Sequence, residues 1–149
     1  DFYYTRYDSD AVCSRALDDY FTSMEALVEL PDCYDSLAHL IYPLRYMARD
    51  GHPVTLAPYE ERIRAILTAV AQSGHALEVN TYVGRTVSDW APILTWYRAC
   101  GGEFLTVGSD AHHPENAGAG IAEAYALIQA AGFRYVTVYR GRKPCPVAL

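Results

Sequence analysis

The amino-acid sequence predicts an α/β fold in which parallel strands alternate with helices. Four segments carry apolar residues at helical spacing, and each is followed by a short apolar or alternating run. Helix then strand, repeated four times, lays the strands side by side in a parallel sheet with helices outside it. The placement of polar residues agrees. His39, Asn80, Arg85, Asp110 and His112 fall at or just beyond the C-terminal ends of predicted strands, the rim where parallel scaffolds gather function.

Each element has a local reason. Ser9 or Asp10 caps a first helix whose apolar face is Leu17, Tyr20, Phe21, Met24, Leu27 and Val28, and Pro31 ends it. Residues 34–41 read as a short strand with His39 near its end, and Tyr42 to Tyr46 as a turn. A second helix covers 58–73: Pro58 suits its first turn, Glu60 and Glu61 favour its positive end, and Ile63, Ile66, Leu67 and Val70 form its buried stripe. Gly74 closes it. In the strand 76–81, Leu77 and Val79 alternate with Glu78 and Asn80, so the polar pair shares one face. A third helix over 91–100 stops at Gly101-Gly102, and the run Phe104 to Val107 leads to Asp110. A helix over 117–131 and a closing strand over 135–139 complete the order. The basic cluster from Arg140 to Pro144 reads as a solvated terminus. So few strands cannot close a (β/α) barrel, which needs about eight, and an open edge is expected.

Composition narrows the function classes. With 51% hydrophobic and 20% charged residues, the 149-residue chain reads as one folded domain. A net charge of −6 argues against a nucleic-acid surface. The apolar stretches are too short to span a bilayer. Cys13, Cys33, Cys100 and Cys145 form no C-x-x-C pair, which fits a reducing, cytoplasmic setting. The 13 tyrosines read as packing and pocket lining. The opening residues, Asp1 to Tyr7, look like a mid-domain loop, so the expectation is either that something was removed upstream or that the chain is a piece of a longer protein.

The candidate residues admit two readings each. Asp110 and His112, two apart, point the same way on extended backbone and suit an oxygen and an imidazole ligand of a metal; equally, the Asp could cap a helix beside an exposed His. His39 is either a hydrogen-bonded core residue or a ligand. Arg45 is either a surface ion-pair partner or a phosphate ligand, since its planar fork matches phosphate oxygens, and Arg85 reaches the same mouth. Glu78 reads as structural.

Taken together, His39-Leu40-Ile41-Tyr42-Pro43-Leu44-Arg45-Tyr46, Leu77-Glu78-Val79-Asn80-Thr81, Gly101-Gly102-Glu103, Thr106-Val107-Gly108-Ser109-Asp110-Ala111-His112 and Arg142-Lys143-Pro144 resemble the histidinol-phosphatases of the polymerase-and-histidinol-phosphatase (PHP) superfamily. The resemblance covers nearly the whole chain. It implies the C-terminal part of a distorted, seven-stranded (β/α) PHP barrel, incomplete here, with residues 1–149 as one partial domain. It also implies a metal-dependent phosphomonoester hydrolase that removes phosphate from L-histidinol phosphate in histidine biosynthesis, using a cluster of divalent metals (Zn, Fe or Mn). By that resemblance His39, Asp110 and His112 are metal ligands, Asp110 and His112 also being catalytic. Arg45, Arg85 and Asn80 bind the phosphate. His52 and His113 match nothing in the family pattern. The family's opening H-x-H motif and bridging Glu do not occur in this sequence, so the metal cluster is expected not to assemble fully on this chain. Two alternatives stand beside this reading: a PHP phosphoesterase with another small substrate, and a non-catalytic chain that self-associates through the open barrel edge.

Overall fold

Ser9 begins the first helix as its side chain predicts: its Oγ accepts a hydrogen bond from the Val12 amide at 3.4 Å. The structure is a computed structural model and describes residues 2–30 and 33–149. Helix α1 (Asp10–Val28) buries Cys13, Leu17, Tyr20, Phe21, Met24 and Val28, whereas Leu27 is exposed. Pro31, the expected terminator, lies outside the described residues.

The next strand, β1 (Ser36–Leu37), is much shorter than the run 34–41. Helix α2 (Leu44–Arg49) replaces most of the expected turn at Tyr42 to Tyr46. Pro43 precedes it with φ −67°, an angle already suited to a helix start, and Tyr46 and Met47 bury against the core. A single 3₁₀ turn at 57–59 leads into α3 (Glu60–Gln72). Strand β2 (Ala76–Asn80), helix α4 (Trp90–Ala99) and strand β3 (Leu105–Gly108) follow close to expectation. Helix α5 (Ile121–Ala130) starts four residues later than the pattern predicts, because Gly118 and Gly120 take φ of +80° and +77°, which a right-handed helix excludes.

Strands β1, β2 and β3 form a parallel sheet in that order. Leu37 lies opposite Leu77, Leu77 opposite Leu105, Glu78 opposite Thr106 and Asn80 opposite Gly108. Period-two alternation gives the sheet two unlike faces. Leu37, Leu77, Val79 and Leu105 join Ile63, Ile66 and Leu67 of α3 and Ile93 and Leu94 of α4 in one core. The opposite face is polar. The hydroxyls of Ser36 and Thr106 meet at 2.7 Å, and the buried Oε2 of Glu78 has no hydrogen-bond partner among the described residues.

The expectation of a closing parallel strand is corrected. Strand β4 (Tyr135–Arg140) pairs antiparallel with β5 (Lys143–Ala148) as a hairpin. Gly141 and Arg142 turn it with φ of +56° and +61°, the two left-handed residues that a tight hairpin needs. The cluster 140–144 is therefore the hairpin tip rather than a solvated tail, and Arg142 Nε donates to Asp35 Oδ1 at 3.1 Å. Pro144 and Pro146 sit opposite Tyr139 and Thr137. Lacking N–H groups, they disguised β5 as a loop in the sequence. No described helix is long and apolar enough to cross a membrane.

Candidate active site

The loops that leave β1, β2 and β3 meet at one end of the sheet, and their backbone is under strain there. His39, Tyr82, Val83 and Asp110 adopt left-handed φ of 65°, 44°, 55° and 56°. For non-glycine residues this costs on the order of 1–3 kcal/mol each, and it persists only where surrounding contacts over-determine it. Four such residues on three neighbouring strand ends mark this rim as the place where the fold places geometry above stability.

Arg45, from the first turn of α2, is the centre of the rim. Its Nη1 donates to Asp110 Oδ2 at 2.7 Å, and the two side chains are only 10% and 17% exposed. Tyr42 and Tyr82 lie against its guanidinium at 4.1 and 4.3 Å, with Tyr46 at 5.2 Å. Burial, the largest single influence, would lower the Arg45 pKa, but the bond to Asp110 together with the charge of Asp110 and the hydroxyls of Tyr46 and Tyr42 outweighs it and the value is raised. Its Nε is buried with no partner among the described residues. A nine-tenths buried guanidinium with a spare donor is an unfinished anion site.

The three candidate ligands do not all converge. His112 Nδ1 lies 2.8 Å from the Asp110 carbonyl and 3.8 Å from its Oδ1, with the His112 side chain 76% exposed. His39 lies two residues beyond β1, at the far side of β2 from Asp110, where its ring sits tilted against Tyr42 with centroids 5.0 Å apart and its carbonyl accepts from the Tyr20 hydroxyl. Among the described residues, no three His, Cys, Asp or Glu side chains form a group that could hold a metal ion. The donors present suit a divalent cation in kind, but among the described residues they do not come together as the three protein ligands such a site takes.

Asn80 acts on its own loop. Its Oδ1 accepts from the Tyr82 amide at 2.8 Å, and its carbonyl accepts from Trp90 Nε1 at 2.8 Å and Thr86 Oγ1 at 3.1 Å. These bonds hold Tyr82 in its left-handed turn. A cavity of about 20 Å³, the size of one water molecule, is lined by His39, Tyr42, Arg45, Asn80, Tyr82 and Trp90 among others. A groove of about 790 Å³ shares Arg45 and Tyr82 with it and adds Arg49 and Arg85. Arg85 lies 5.5 Å from the Tyr82 ring. Arg45 and Arg85 therefore share a groove, with Asn80 in the adjoining cavity and Asp110 tied to Arg45.

The tyrosine cage of Tyr42, Tyr46 and Tyr82 escaped residue-by-residue reading. The high tyrosine count was its only trace in the sequence, and a count assigns no partner.

No family model matches the chain. Curated relatives do. The chain is 28% identical to the histidinol-phosphatase of Lactococcus lactis subsp. lactis over 93% of its own length and 53% of the relative's. It is 28% identical to a probable histidinol-phosphatase of Clostridium acetobutylicum over 74% and 44%. With a probable histidinol-phosphatase of Thermotoga maritima the identity is 31%, over 97% and 60%. The chain thus spans about half the length of the curated relatives it matches. Its fold is similar to the crystal structure of the Lactococcus lactis histidinol phosphate phosphatase complexed with zinc, L-histidinol and phosphate, with TM-score 0.70, 27% identity, and coverage of 86% of this chain and 50% of that one. By sequence and by fold, this chain is similar to the histidinol-phosphatases over about half of their length.

Proposed function

We propose that this chain carries the phosphate-gripping rim of a metal-dependent histidinol-phosphate phosphatase of histidine biosynthesis, acting as the C-terminal part of a distorted PHP barrel. One observation carries the reading. Arg45, caged by tyrosines and bonded to Asp110 at 2.7 Å, keeps at the strand ends a buried donor without a partner among the described residues. The complex of the Lactococcus lactis relative with zinc, L-histidinol and phosphate supports it.

Arg45 and Arg85 neutralise and orient the phosphoryl oxygens as charge develops on them. Asn80 holds the turn that presents Tyr82 and Arg85. Asp110 has two oxygens: Oδ2 fixes Arg45, and Oδ1 faces the His112 imidazole. His39, Asp110 and His112 are assigned as ligands of a divalent cation, with the remaining ligands in the part of the relatives' length that this chain does not span. Because the donors here do not by themselves complete a site, no step of the chemistry is assigned to a cation on this chain.

The test is an assay of the whole protein on L-histidinol phosphate and on a generic phosphate ester, with metal content measured alongside. Rapid, metal-dependent release from L-histidinol phosphate, lost in Arg45→Ala, is expected. Equal release from both esters would leave a PHP phosphoesterase of broader substrate range. A metal-free protein without phosphatase activity would overturn the enzyme reading and leave a non-catalytic chain that pairs with itself along an open sheet edge.

A further inference from the structure

We propose that Thr81 is a positioning residue of this rim: its buried hydroxyl buckles the loop that carries Arg85 to the loop that follows Asp110 and His112. The inference rests on the reading of Arg45 and Arg85 as phosphate ligands.

Thr81 is fully buried, one residue beyond β2. Its Oγ1 donates to the Ala119 carbonyl at 2.7 Å and accepts from the Gly84 amide at 3.3 Å. Its own amide donates to the Gly108 carbonyl at 2.8 Å, and Val83 donates to Ser109 at 2.8 Å, so the pairing of β2 and β3 continues into the two loops. The backbones of Gly84 and Gly120 close on each other at this point. A Cβ on Gly120 would lie 2.5 Å from Gly84 Cα and 2.9 Å from Thr81 Cβ.

A strand end buried among apolar side chains is normally served by Val or Ile. A hydroxyl is needed here because an inward-facing carbonyl and an inward-facing amide, on two different loops, require one partner that both donates and accepts. Arg85 follows Gly84 directly, while Asp110 and His112 sit between β3 and Ala119. The hydroxyl therefore sets the distance between the loop that carries Arg85 and the loop that carries Asp110, the residue holding Arg45, without touching phosphate itself.

Inorganic phosphate titrated into the isotopically labelled full chain, followed through the amide shifts of Arg85, Asp110 and Gly120, tests this. Thr81→Val keeps the shape and removes the hydroxyl; it should weaken phosphate binding about fivefold or more. Thr81→Ser should bind within about twofold of the parent, since it keeps both hydrogen bonds. A Thr81→Val chain that melts lower yet binds phosphate within about twofold of the parent would show that the hydroxyl only stabilises the fold, and would overturn the inference.

Should Thr81→Val not fold, the parent decides the matter. Gly84, Ala119 and Gly120 shifting with the midpoint of Arg85 support the buckle; Arg85 shifting while Ala119 and Gly120 stay fixed overturns it. A parent chain that binds no phosphate refutes the assignment of Arg45 and Arg85, and this inference falls with it.

Discussion

Replacing Asp110 probes the rim most directly, because one residue there holds both an ion pair and a strained backbone. Arg45 is 10% exposed and Asp110 17%, so Asp110→Ala leaves a guanidinium buried without its counter-charge. Breaking a buried pair from one side costs about 3–5 kcal/mol. Tyr42 and Tyr82 still face the cation at 4.1 and 4.3 Å and return about 1 kcal/mol of that. Alanine at the φ of +56° adds about 1 kcal/mol of strain that Asp tolerates better. The expected loss is about 3–5 kcal/mol. Asp110→Asn keeps an acceptor and the tolerance for left-handed φ and loses only the charge, so about 2 kcal/mol is expected. Urea unfolding followed by the fluorescence of Trp90 and Trp96 reads both values. A loss below about 1 kcal/mol for Asp110→Ala would refute the buried pair. Equal losses for the two variants would refute the strain at position 110.

Three further outcomes are expected. Gly120→Ala places a methyl 2.5 Å from the Gly84 backbone at a φ of +77° and should cost about 2–3 kcal/mol, measured by the same unfolding. Asp50 accepts from Arg49 and from the Tyr7 amide, bonds that hold its carboxyl well below the usual range. Its folded pKa is the lower one, so its contribution is present above the ordinary carboxylate range and is lost as pH falls through the depressed value. Asp50→Asn should flatten the acid limb of a stability–pH curve. Burial, and then its bond to Tyr42, push Tyr46 up to about 12. Here the folded pKa is the higher, so stability is full below the ordinary tyrosine value of 10.0 and is lost as pH rises toward about 12. Tyr46→Phe should remove that alkaline step, seen in denaturant midpoints between those pH values.

Much of this molecule was legible without coordinates. Ser9 as a cap, the apolar stripe of α3, the alternation of Leu77 and Val79 with Glu78 and Asn80, and the glycines that close the helices are local signals, and the structure follows them. Where neighbours along the chain misled, the cause was equally local. Pro144 and Pro146 look like loop residues until an antiparallel partner supplies the other strand, and Pro43 looks like a turn until Tyr46 and Met47 find a core to bury in.

What the sequence by itself determined is the α/β order and the set of polar side chains delivered to the strand ends, because hydrophobic periodicity and breaker residues act within a few positions. Only the tertiary structure decided what those side chains do to one another. Arg45 meets Asp110 across 65 residues and Thr81 meets Ala119 across 38, and no periodic pattern encodes such a distance. The same packing left Glu78 and Arg45 with buried atoms lacking partners among the described residues, a property that exists only once the rest of the chain has closed around them.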